Sequence, residues 1–153
     1  MDEQLTLAEI FDIADQVRQN TRDFYEEATT LFAHHSNLFL DMVTLEDDFG
    51  RALDRLKQAY LKNKKNSVVA DDSLRKSVSG LHVLASADPA RIFHERIRKE
   101  EIIQIAMKIA REIINYFDGL KNFTTDADTR KILQLIIEAK ARQVRTLQSW
   151  IQS

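Results

Sequence analysis

Apolar residues recur at three- and four-residue steps over four long stretches, the period of helices with one buried face. The first stretch spans about residues 6–34, with Ile10, Ile13, Ala14, Val17, Thr21, Phe24, Tyr25, Ala28, Leu31 and Phe32 inward. Thr6 followed by Glu9 is a capping-box pattern that sets its start. The second, about 38–62, turns Leu38, Met42, Leu45, Phe49, Ala52, Leu53, Leu56 and Tyr60 inward. The third, about 100–121, carries Ile102, Ile105, Ala106, Ile109, Ile113, Tyr116, Phe117 and Leu120. The fourth, about 127–152, carries Ile132, Leu133, Ile136, Ile137, Val144, Leu147, Trp150 and Ile151, with Thr125 or Asp126 as its cap.

Between the second and third stretches the pattern weakens. Residues 63–99 open on a basic run, Lys62 to Lys65, and contain Gly80 and Pro89. A connection this long is expected to hold some helix, and Ser73–Ala85 and Pro89–Arg96 are the candidates. The basic run itself reads as a solvated helix end.

The chain also repeats itself. Ile10, Ile13, Ala14, Val17, Phe24 and Tyr25 align in spacing with Ile102, Ile105, Ala106, Ile109, Tyr116 and Phe117. Met42, Leu45, Leu53 and Leu56 align with Leu133, Ile136, Val144 and Leu147. The pattern predicts an all-α fold: two repeated helical hairpins joined by a long crossover, forming one domain over residues 1–153.

Composition narrows the chemistry. Three glycines and one proline in 153 residues leave few helix breakers, and 44% of residues are apolar, enough for a core. A net charge of −2 gives no reason to expect nucleic acid as a partner. The absence of cysteine removes disulfides, thiol catalysis and iron–sulfur clusters. No apolar run reaches the roughly 18 residues of a membrane span, and the N-terminus does not read as a signal peptide. These features predict a cytoplasmic protein with no membrane partner.

One charge sits in the wrong place. Lys140 falls near the centre of the fourth apolar stripe, with Gln143 beside it one turn on. An unpaired ammonium there costs several kcal/mol. The nearest boundary carboxylates are Asp48 and Glu112, and the hydroxyl of Tyr25 is a further candidate contact. Arg18, on the flank of its stripe, is expected to run its stem through the core and leave its head in solvent.

The stretch Ile13–Ala28, with Phe24-Tyr25-Glu26-Glu27, and the stretch Ile136–Val144, with Glu138-Ala139-Lys140-Ala141-Arg142-Gln143, resemble the first and fourth helices of the ferritin-like superfamily, and of its rubrerythrin branch in particular. That resemblance implies a ferritin-like four-helix bundle. The family holds two irons between glutamates and Glu-x-x-His motifs on these helices. The glutamate two turns before the tyrosine is Arg18 here, and its repeat on the third helix is Ala110. Lys140 and Gln143 stand for the glutamate and histidine of the fourth helix, and Phe49 and Ala52 for those of the second. A slip of one residue would instead give Asp48 and Arg51, but that turns Arg51 inward.

A di-iron centre needs carboxylates and imidazoles converging in the bundle. None of these six positions is either, and none of the four histidines has a glutamate three residues before it. The resemblance therefore implies a non-catalytic protein without metal or other cofactor, an interaction or scaffold module that pairs as a homodimer and serves a further protein partner. The alternative is a rubrerythrin-like metal-dependent oxidoreductase, or an iron-binding protein, with a displaced site. The histidines give it little help. His34 and His35 lie in a turn read as solvated. His82 lacks the following lysine of phosphotransfer helices. His94 and Glu95 could meet Glu100 and Glu101 only if adjacent residues faced one way, which a helix forbids.

Overall fold

The computed structural model describes residues 5–61 and 88–152. Every regular element in them is helical. Helix α1 spans Leu7–Leu31, and a 3₁₀ turn, Ala33–His35, leads into α2, Ser36–Leu61. After a short α3, Pro89–Ile92, come α4, Lys99–Leu120, and α5, Ala127–Gln152. The predicted boundaries of the four long helices differ from these by at most three residues, the ordinary fraying of helix ends. The candidate helix Ser73–Ala85, and His82 with it, lies outside the described residues. The expected Pro89–Arg96 helix stops at Ile92, where Phe93 turns extended.

The ends are chemically specified. Thr6 accepts from the Glu9 amide at 3.1 Å, and Glu9 accepts from the Thr6 amide at 3.1 Å, the capping box expected there. Asp88 accepts from the Ala90 amide, with Pro89 in the first turn of α3. Glu101 accepts from the Arg98 amide at the head of α4. Asp126, not Thr125, caps α5: its Oδ2 accepts from the Thr129 amide at 2.9 Å and its hydroxyl at 2.6 Å. Arg130 then reaches back to donate to the Lys121 and Thr124 carbonyls in the turn that follows α4.

α1 packs along α2, and α4 along α5; α5 also meets both α1 and α2. Two hydrogen bonds fix the directions. The Leu5 amide donates to Phe123 O, between α4 and α5, so the start of α1 shares an end with that turn. His35 Nε2 donates to Ile97 O at 2.9 Å, so the α1–α2 turn shares the other end with the start of α4. Going along the chain, the long helices therefore run up, down, down and up. His35 is half-buried and engaged, where a solvated turn was expected; only His34 is exposed.

The core follows the predicted stripe in α1, except that Leu31 is 47% exposed and Leu7 and Phe11 are buried as well. Thr21 is tolerated inside because its hydroxyl donates to Val17 O at 2.8 Å. Phe93 closes the upper end, its ring 4.9 Å from Phe39, 5.5 Å from Phe24 and 6.0 Å from Phe32. Midway down, between α2 and α5, the core becomes polar.

Candidate functional site: a buried ring of lysine, glutamate and glutamine

Lys140 lies on the inward face of α5 and is 1% exposed. Its partner is Glu46 of α2, 2% exposed. The ammonium donates to Glu46 Oε1 at 2.8 Å and to Oε2 at 3.0 Å, and to Gln143 Oε1 at 2.8 Å. Gln143 Nε2 in turn donates to Glu46 Oε2 at 2.6 Å. The three side chains close a ring in which amine, carboxylate and carboxamide each touch the other two. An ammonium has three protons and no acceptor, and all three acceptor atoms here come from this ring.

Each element places its member for a local reason. Lys140 and Gln143 are three apart, one turn of α5. Met42, Glu46, Phe49 and Leu53 form a single four-three-four row on α2, so Glu46 projects from a row otherwise apolar. Phe49 lies one turn below it, and Lys140 Nζ sits 4.4 Å from its ring centroid. The ring face adds favourable electrostatics where water is excluded. Opposite, α4 presents Ala106 and Ala110, whose small side chains leave a cavity of about 10 Å³ beside the ring, bounded also by Tyr25. That is room for about one water molecule.

Electrostatics follow from burial. Removing the ammonium from water pushes Lys140 below the usual lysine range, Glu46 pulls it back up, and the nearby Arg18 pushes it down again. Burial, then the Glu46 carboxylate, hold the Tyr25 hydroxyl well above the ordinary tyrosine value. Lone charges so placed would each cost several kcal/mol; the closed ring is what makes them tolerable.

The expected site residues separate into two groups. Tyr25, Phe49, Ala110, Lys140 and Gln143 are buried and converge around the ring or its cavity, as Lys140's central position required. Ala52 is only half-buried. Asp48 is not Lys140's partner: it is exposed on α2 and pairs with Arg51. Glu112, the other expected partner, is half-buried on α4 and makes no hydrogen bond to Lys140; its Oε2 is buried and has no hydrogen-bond partner among the described residues. Asp48 lies on the solvent side of its wheel, Glu112 is not in contact with Lys140, and Glu46 fills the role. The alternative register of α2, with Asp48 and Arg51 inward, is thereby excluded.

Arg18 runs across α2 at Gly50, with Nη1 4.0 Å from Asp47 Oδ1 and Nη2 3.4 Å from Gln19 Oε1. Its head reaches the edge, as expected, but Nε stays buried and has no hydrogen-bond partner among the described residues. Arg22 holds Asp47 more closely, at 2.8 Å.

The sequence reading missed Glu46. It sits at the head of Glu46-Asp47-Asp48, which looks like a solvated acidic run. Two signals could have found it: the Met42–Phe49 spacing, and the demand of a central lysine for a counter-charge on the facing helix.

Chemically the ring offers a paired amine and carboxylate with a carboxamide in contact. The cavity is too small for an organic substrate. Among the described residues no three His, Asp or Glu side chains gather as metal ligands. No described helix is long and apolar enough to cross a membrane. The chain matches no family model, no curated protein and no solved structure.

Proposed function

We propose that the chain is a ferritin-like four-helix bundle of rubrerythrin type in which a lysine ammonium has taken the place of the metal, and that it acts as a non-catalytic interaction or scaffold module, working as a homodimer with a further protein partner. One observation carries the reading. The centre holds its positive charge covalently: Lys140 engages both oxygens of Glu46, the carboxylate a metal would otherwise claim. The up, down, down, up course of the long helices supports the ferritin-like part. So does the placement of Lys140-x-x-Gln143 opposite Glu46-x-x-Phe49, one turn earlier on α2 than the Phe49 and Ala52 expected from the sequence, at the spacing with which such bundles present ligands.

The test is metal analysis of protein purified from cells grown with excess iron, manganese and zinc. The expected result is no stoichiometric metal between the long helices. One equivalent retained by the parent and lost in Glu46→Gln would overturn the reading in favour of a metal-dependent oxidoreductase. Light scattering should give about twice the 17.7 kDa chain mass; a monomer at micromolar concentration would remove the dimer.

A further inference from the structure

We infer that the buried ring is a self-processing site, at which Lys140 and Gln143 join in an isopeptide bond with release of ammonia. The inference rests on the three side chains alone and stands apart from the scaffold reading.

The reaction needs a nucleophilic nitrogen, an acyl carbon bearing a leaving nitrogen, and a group that moves protons between the two nitrogens. Lys140 Nζ lies 2.8 Å from the carboxamide oxygen of Gln143. Glu46 touches both nitrogens at once, with Oε1 2.8 Å from Nζ and Oε2 2.6 Å from Nε2 of the amide that would leave. A carboxylate shared between the entering and the departing nitrogen is placed as a proton shuttle. Burial supports the chemistry further. It favours the neutral amine, it keeps bulk water from the acyl carbon, and it holds the two reacting groups within contact of each other.

The step balances without any co-reactant. Glu46 takes one proton from the ammonium, leaving a neutral amine and a carboxylic acid. The amine lone pair attacks Gln143 Cδ, which requires Nζ to swing from the carbonyl oxygen to the carbon; the cavity beside the ring gives it slack. A second proton leaves Nζ through Glu46 for Nε2, the Cδ–Nε2 bond breaks, and ammonia departs. The products are a secondary amide and a protonated Glu46. No oxidation state changes, and two buried charges have become two neutral, mutually hydrogen-bonding groups. Lys140 and Gln143 are neighbours on one turn of α5, so the link spans a single helical turn.

The full chain should be followed by intact mass spectrometry, fresh and after days at neutral pH. A species lighter by one ammonia is expected, and its fraction should grow with time. Trypsin should fail to cut it after Lys140, and cutting at Arg142 should leave the two pieces joined. Lys140→Arg should abolish the species. Glu46→Gln, confirmed helical by circular dichroism, should slow its formation on the order of 10²-fold, the usual worth of a positioned proton-transfer group. The proposal fails if the folded full chain keeps its sequence mass and is cut after Lys140. It fails equally if the lighter species persists in Lys140→Arg, or if water is lost and the bond maps to Glu46.

Discussion

Gly50 lies directly under the Arg18 side chain: a Cβ added there would stand 2.8 Å from Arg18 Cδ and 2.9 Å from Nε. The glycine is inside α2, where it costs about 1 kcal/mol relative to alanine. What it gives in return is a path for a charged side chain across the helix.

That coupling predicts a background-dependent sign. In an Arg18→Ala background, Gly50→Ala should stabilise by about 1 kcal/mol, because the helix gains and nothing is displaced. In the parent the gain should shrink or reverse, since Arg18 must move. Urea denaturation of the four-member cycle measures the difference, and equal effects in both backgrounds would show that the contact is without energetic weight.

Lys140→Met keeps the stem and deletes the charge, but strands Glu46 in the core. Breaking one side of a buried pair costs about 3–5 kcal/mol. A lysine that was only a relic of a lost metal would give a neutral or stabilised variant; a paired one does not. Adding Glu46→Gln removes the stranded charge and lets two amides face each other, so the double variant should recover most of the loss. Chemical denaturation at pH 7 decides between the two.

Asp15 of α1 is expected to destabilise the fold at neutral pH. Burial raises its pKa above the ordinary aspartate value and outweighs the lowering by Lys57 and Arg18; Asp54 raises it further. The folded state then binds more protons than the unfolded state between 3.8 and the raised value, so stability falls as pH rises through that window. Above it the penalty is complete. Asp15→Asn should therefore raise the urea midpoint at pH 7 and leave it unchanged below the unfolded pKa. A midpoint gain of equal size at both pH values would point to a cause other than charge.

The two capping groups should be separable. Thr6→Ala removes the hydroxyl that serves Glu9, and Asp126→Ala the carboxylate that serves Thr129. Each should cost about 0.5–2 kcal/mol, and being on different helices they should add when combined only if they share no partner. Thermal unfolding of both single variants and the double checks this.

The helices were legible because their stripes are long and regular, and both capping groups were visible as residue types. Lys140 was legible as an anomaly on its stripe. Its partner was not, because Glu46 heads three consecutive acids, and one inward carboxylate among outward ones leaves no trace in a local pattern. Pairing is a property of two facing helices, and a wheel describes one. The same limit explains Asp48, which has the right chemistry at the wrong angle. It also explains His35, whose bond to Ile97 joins residues far apart in the chain.

The two end ties have a mechanical meaning. Leu5 is fastened to Phe123 at one end, and His35 to Ile97 at the other. A helix pair held at only one end could creep along its neighbour; held at both, it resists shear in either direction. Slipping by a single turn, about 5.4 Å, would undo both fastenings and drag Lys140 past Glu46. The helices are thus barred from sliding past one another.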